Sequence, residues 1–134
     1  MWYVIAADKG AKLISGFSEQ ITPKEYKDRV HNGTFAEVLQ TCAIEPGDVF
    51  YVPAGRVHGI GAGAFVAEIQ QTSDITYRIF DYNRKDKDGK SRELHTSQAM
   101  DAINFTDVQD DFRTEYDRIQ NEPVEMVASP YFTT

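Results

Sequence analysis

The chain opens on apolar stretches too short for anything but strands. Trp2-Tyr3-Val4-Ile5-Ala6 is aromatic and β-branched, which predicts a strand. Residues 12–17 read as its hairpin partner, after a turn around Asp8-Lys9-Gly10. The period then changes. Thr22-Pro23-Lys24-Glu25 supplies a cap residue, proline at the first helical position and a glutamate at the third, so a helix starts there. It ends near Asn32-Gly33, and Thr34-Phe35-Ala36-Glu37 repeats the capping pattern for a short second helix to about Leu39. From Cys42 to Phe80 the pattern is all β. Strands are expected up to Ile44 and over Val49–Val52, Val57–Ile60, Ala64–Gln71 and Ile75–Phe80. Pro46-Gly47, Pro53-Ala54-Gly55, Gly61-Ala62-Gly63 and Thr72-Ser73-Asp74 punctuate them. Short strands at such regular spacing predict a β-sandwich or barrel. A polar turn over 84–92, a helix capped by Thr96 through Ala102, and a strand at Val124–Val127 follow. Residues 130–134 read as the first half of a further strand.

Composition narrows the class. With 134 residues, 41% hydrophobic and 26% charged, the chain is one ordinary domain able to bury a core. No apolar run is long enough to span a membrane, and the first residues do not resemble a signal peptide. Cys42 is the lone cysteine, which excludes an internal disulfide and a cysteine-based zinc site. A reducing cytoplasm is the expected location. The net charge is −7, so nucleic acid is not an expected partner. Residues 101–125 carry eight acids against Arg113 and Arg118, which leaves the rest of the chain near neutral. That stretch is expected to be a solvated linker or a surface helix.

The segment from Pro46 to Gly59 carries the most chemistry. A Pro-Gly-Asp turn, an apolar strand, a proline-containing turn and then His58 resemble the second sequence motif of cupins. Pro53 removes a donor and stops sheet pairing. The chain then re-enters the barrel with His58 directed inward, where a neutral imidazole suits a borderline metal such as zinc. A histidine beside apolar residues is also a common hydrogen-bonded core residue, and the turn motif tips the balance toward a ligand. On a strand over Ala64–Gln71, Val66, Glu68 and Gln70 share one face. That face lines a barrel interior or meets water. Arg78, among Ile, Tyr and Phe, either snorkels to the surface or offers its planar fork to an anion.

Three longer motifs, in order, make a more specific match. They are Val-Pro-Ala-Gly-Arg-Val-His ending at His58, Gln-Gln-Thr-Ser-Asp-Ile-Thr-Tyr-Arg ending at Arg78, and Asp81-Tyr82-Asn83-Arg84. Arg92-Glu93-Leu94-His95, the opening Met-Trp-Tyr-Val-Ile and the helical insertion at 22–40 fit as well. Across nearly the whole chain the sequence resembles type I mannose-6-phosphate isomerases of the short bacterial kind, in the cupin superfamily. The resemblance implies a mainly β fold: a cupin or jelly-roll β-barrel with a short helical insertion and a C-terminal helix or linker. It divides the chain into a cupin-like domain over 1–104 and an acidic linker with the start of a second β-domain over 105–134.

The resemblance also implies residue roles. The family holds a metal, usually zinc, with a Gln, two His and a Glu, and His58 matches the last of these ligands. Arg78 matches the arginine that steadies the enediol intermediate. Glu68 matches an acidic residue near the metal and, with Arg78, is expected to be catalytic. Asp81, Tyr82 and Arg84 match the motif after the catalytic arginine and are expected to contact substrate, as is Arg78. The chain departs from the pattern in lacking the upstream Gln-x-His pair, the Lys-x-Glu segment and the second barrel. It therefore looks like a central fragment, expected to bind zinc weakly or not at all and to be inactive alone.

The implied reaction interconverts mannose 6-phosphate and fructose 6-phosphate through a cis-enediol. Two alternatives stand beside it. One is a non-catalytic cupin module that binds a phosphosugar, with Lys85, Lys87, Lys90 or Arg92 at the phosphate. The other is an oligomerisation role, with a homodimer formed through exposed barrel edges. His31 is given no function, His95 is expected to hold the chain to the barrel, and Cys42 is expected to be an apolar filler.

Overall fold

The computed structural model describes residues 1–73, 75–81, 85–119 and 121–134. Its strands are β1 (Trp2–Ala7), β2 (Lys12–Phe17), β3 (Leu39–Ala43), β4 (Val49–Phe50), β5 (His58–Ile60) and β6 (Ala64–Glu68). The helices are α1 (Pro23–Asn32), α2 (Thr96–Ala102) and a single 3-10 turn over Phe35–Val38. The strands form two antiparallel three-stranded sheets, in the orders β4-β1-β6 and β3-β2-β5. The fold is thus mainly β, a jelly-roll type of sandwich with few helices, as expected.

The two sheets share one core. Trp2 and Val4 from β1 and Phe50 from β4 pack with Leu13 from β2, Cys42 from β3, and Phe112. Alternation along β1 sends Trp2 and Val4 inward, and the same rule on β2 buries Leu13 and Ser15. Burial pushes the Cys42 thiol up from its ordinary pKa, in keeping with an inert filler. A second apolar cluster lies under the helices, where Tyr26, Phe35 and Ala99 meet Phe17. Burial raises the Tyr26 hydroxyl to about 12, with the Thr96 side chain acting in the opposite direction.

Helix α1 forms for the reasons its sequence advertises. Thr22 Oγ1 accepts from the Glu25 N–H at 3.2 Å, and Glu25 Oε2 accepts from the Thr22 N–H at 2.7 Å. Gly33 closes the helix in the left-handed region, at φ 74°. Gly16 has a different task. It sits at the irregularity in β2 with φ 70°, and a Cβ there would lie 2.3 Å from the Phe112 ring. The missing side chain is the seat for that ring.

Several elements are shorter than their patterns predict. The second helix is a 3-10 turn. The strand expected over Val49–Val52 stops at Phe50, because the Tyr51 N–H turns aside to Thr114 Oγ1 at 3.1 Å. The strand from Ala64 ends at Glu68 rather than Gln71. Ile75–Phe80 is apolar and β-branched yet joins no ladder. Two of its amides bond to side chains outside any sheet, Ile75 N–H to Ser73 Oγ and Arg78 N–H to the His95 ring 17 residues on. Val124–Val127 makes no strand either, and only a bridge between Ala128 and Thr133 follows it.

Beyond Ala102 the acidic stretch forms no helix among the described residues, and it lies against the domain. Phe105 stacks on Phe17 and Phe112 enters the core. Asp48, 1% exposed, receives Arg113 Nε and Arg118 Nη2, each at 3.1 Å. Arg113 also donates to the Ala43 carbonyl. Tyr116 donates to the Gly47 carbonyl at 2.8 Å. No helix among the described residues is long and apolar enough to cross a membrane.

Candidate active-site cleft

His58 begins β5 and sits opposite Ser15 of β2, so both side chains leave their sheet on the same face. The Ser15 hydroxyl is fully buried and has no hydrogen-bond partner among the described residues. The His58 side chain is exposed rather than sunk in a barrel as expected, and its ring meets Trp2 edge-on, with centroids 5.4 Å apart. Trp2 in turn donates its indole N–H to Glu68 Oε1 at 2.8 Å. Trp2 and Glu68 are direct neighbours across β1 and β6, so the pairing of strands fixes that bond. Glu68 thereby connects to His58 through one indole ring.

The second nitrogen of His58 is the informative one. Its Nδ1 lies 2.7 Å from the Arg56 carbonyl. A carbonyl can only accept, so Nδ1 carries the proton and the neutral ring keeps its lone pair on Nε2. Arg56 is itself tightly held. Its guanidinium spans both oxygens of Asp107, at 2.6 and 3.2 Å, and donates to the Tyr51 carbonyl at 2.8 Å.

His58 and Arg78 line the same cleft, of about 540 Å³, together with Gln70, Ser73, Thr76 and Tyr77. The Arg78 backbone is pinned to His95 by a pair of hydrogen bonds, and Arg78 Nη1 reaches the Glu93 carbonyl at 3.3 Å. His95 was expected to hold the chain to the barrel; it holds the Arg78 segment, which lies outside both sheets. Asp81 faces elsewhere. It is 8% exposed and borders a smaller recess, with Arg92 at 3.5 Å. Tyr82 and Arg84, also expected at the substrate, lie outside the described residues.

The donor set for a metal can be tested directly. Among the described residues no three His, Cys, Asp or Glu side chains gather closely enough to hold a metal ion. One imidazole falls short of the three or four protein ligands that zinc takes. The residues of this chain do not by themselves fit the zinc site that the resemblance implies.

Sequence reasoning missed three contributors to this geometry: Trp2, Arg56 and Asp107. Arg56 stood inside the recognised motif, two residues before His58. Nothing local marked Asp107 as its partner.

No family model matches the chain. Individual proteins do. The mannose-6-phosphate isomerase of Streptococcus mutans is 37% identical over 132 residues, which is 98% of this chain and 42% of that protein. Mannose-6-phosphate isomerase ManA of Bacillus subtilis is 38% identical over 120 residues, covering 90% of this chain and 38% of its own length. The crystal structure of the mannose 6-phosphate isomerase from Bacillus subtilis superposes with a TM-score of 0.82 at 33% identity, again over 98% of this chain and 42% of that one. This chain is homologous to part of the mannose-6-phosphate isomerases. It spans about two-fifths of the length of these isomerases.

Proposed function

We propose that the chain is a portion of an aldose–ketose isomerase that interconverts mannose 6-phosphate and fructose 6-phosphate. The observation that carries this reading is the shared cleft of His58 and Arg78 in a homologue of proteins named for that reaction. Isomerisation removes the proton from C2, passes through a cis-enediol and returns a proton at C1. The developing oxyanion needs positive charge that is already in place, and the Arg78 guanidinium supplies it here. Arg78 qualifies because its backbone is held on both N–H and C=O by His95. Glu68 and Asp81 belong to the reading in supporting positions, Glu68 through Trp2 and Asp81 through Arg92.

Zinc enters this proposal only with donors from beyond these residues, and no step is assigned to it. His58 would give one imidazole nitrogen, Nε2. The chain alone is therefore expected to be inactive. An isomerase assay on the purified 134 residues should read background, and clear turnover would overturn that expectation. A cytoplasmic location belongs to the same proposal, in keeping with the buried free Cys42.

A second reading is favoured by the lone imidazole: a non-catalytic module that binds a phosphosugar. Saturable binding of fructose 6-phosphate without zinc, with no turnover when zinc is added, would support it. Failure to bind would remove it. A homodimer through the free edges of β5 and β6 would appear as a concentration-dependent mass in sedimentation.

A further inference from the structure

The Arg56–Asp107 pair has no place in the reaction above, yet it is among the most tightly built contacts in the molecule. Both side chains are nearly buried, at 10% and 13% exposure. The guanidinium makes a two-oxygen fork to Asp107, donates to the Tyr51 carbonyl, and lies 4.4 Å above the centroid of the Phe112 ring. A planar fork stacked on an aromatic face has little freedom to rotate. The two peptides that flank the Arg56 carbonyl are held as well. Arg56 N–H bonds to the Pro53 carbonyl at 3.2 Å, and the Val57 carbonyl accepts from Gly16 N–H at 2.7 Å. The strap that carries Asp107 adds one more tie, from Asn104 N–H to the Gly55 carbonyl at 2.9 Å. The Arg56 carbonyl is thus aimed by its surroundings, and it is the group that accepts from His58 Nδ1.

We infer that Asp107, acting through Arg56, is a positioning residue that fixes the tautomer of His58 and so keeps the lone pair on Nε2. The inference rests on His58 being a residue of the working site, but it concerns the ring alone. Free imidazole side chains in water exchange between tautomers, so a fixed one requires a fixed acceptor. Lys in place of Arg56 keeps the charge and loses the fork and the stack.

The test is a long-range proton–nitrogen NMR correlation on the 15N-labelled chain, without metal or sugar, at a pH where the rings are neutral. His95 is the internal standard. Its Nδ1 accepts from the Arg78 N–H, so its proton belongs on Nε2, opposite to His58. In the parent chain His58 should show the proton on Nδ1. In Asp107→Asn the ratio of the two His58 tautomers should fall by about tenfold, the worth of roughly one net hydrogen bond, while His95 stays unchanged. Arg56→Lys, which loses the fork and the stack together, should lower the same ratio at least as far. A folded Asp107→Asn with the parent ratio at His58 overturns the inference. If that variant does not fold, Arg56→Lys decides, and an unchanged ratio there overturns it equally. Because no sugar or metal is present, this outcome is independent of whether the chain takes part in isomerisation.

Discussion

The main-chain N–H of Arg78 donates to Nδ1 of His95 across 3.0 Å, and the His95 N–H returns a bond of 2.8 Å to the Arg78 carbonyl. This pairing holds the segment 75–81 in place without a sheet. His95→Phe keeps the ring's bulk and removes the acceptor, so the Arg78 amide should exchange with solvent faster by about tenfold, the value of roughly one net hydrogen bond. His95→Asn presents a side-chain oxygen that can accept in its place, and should recover part of the protection. Hydrogen exchange at the Arg78 amide reads both. Equal protection in the parent chain and His95→Phe would contradict the role.

Acid should weaken the fold through two carboxyls. The Thr22 backbone N–H, and then its hydroxyl, hold Glu25 below the usual carboxylate range. Burial pushes the Asp111 carboxyl up, but the Arg113 backbone N–H and guanidinium outweigh it and leave a net depression. Both groups bind protons less readily folded than unfolded. Their contribution is therefore complete above the unfolded value of about 4, and is lost as pH falls through the lower folded values. Urea midpoints measured from pH 6 down to pH 3 should fall, and Asp111→Asn should flatten part of the slope.

Gly16 should tolerate no side chain. An added Cβ meets the Phe112 ring at 2.3 Å on a backbone with positive φ. Gly16→Ala is expected to cost about 3 kcal/mol from overpacking and strain together. Phe112→Ala opens a cavity at the same place and should cost about 4 kcal/mol. The double variant should be less unstable than the sum, since the clash is gone once the ring is gone. Urea unfolding of the three variants measures this, and strict additivity would contradict the contact.

Asp48 fastens the acidic strap. Asp48→Asn weakens two ion pairs from partly exposed arginines and should cost about 2 kcal/mol. Limited proteolysis should then cut first within 105–119. Cleavage elsewhere first would count against the strap.

What could be read in advance divides along a physical line. Helix α1 announced itself because its cap, proline and closing glycine all act within one turn of the residues they affect. β1 and β2 were legible as strands from their apolar and β-branched residues, but not as the hairpin expected of them: they lie in different sheets, β1 between β4 and β6 and β2 between β3 and β5. Ile75–Phe80 misled because β-propensity reports how a residue fits a pleated surface, and no described neighbouring strand offers that segment one. The acidic stretch misled for a related reason. Counting charge averages over Phe112, Arg113 and Arg118, the residues that tie it down. The partnership of Arg56 with Asp107, 51 positions away, has no local signature. Such pairings are set by how the sheets close, which periodicity does not encode.

The account stands or falls on the cleft between His58 and Arg78. The most direct measurement is an NMR titration of the labelled chain with fructose 6-phosphate, in parallel with Arg78→Ala. The account predicts saturable shifts at His58 and around Arg78 in the parent chain, reduced at least severalfold in affinity in the variant, with the distant amides of α1 unmoved. Shifts that avoid His58, or binding unchanged in Arg78→Ala, would contradict it.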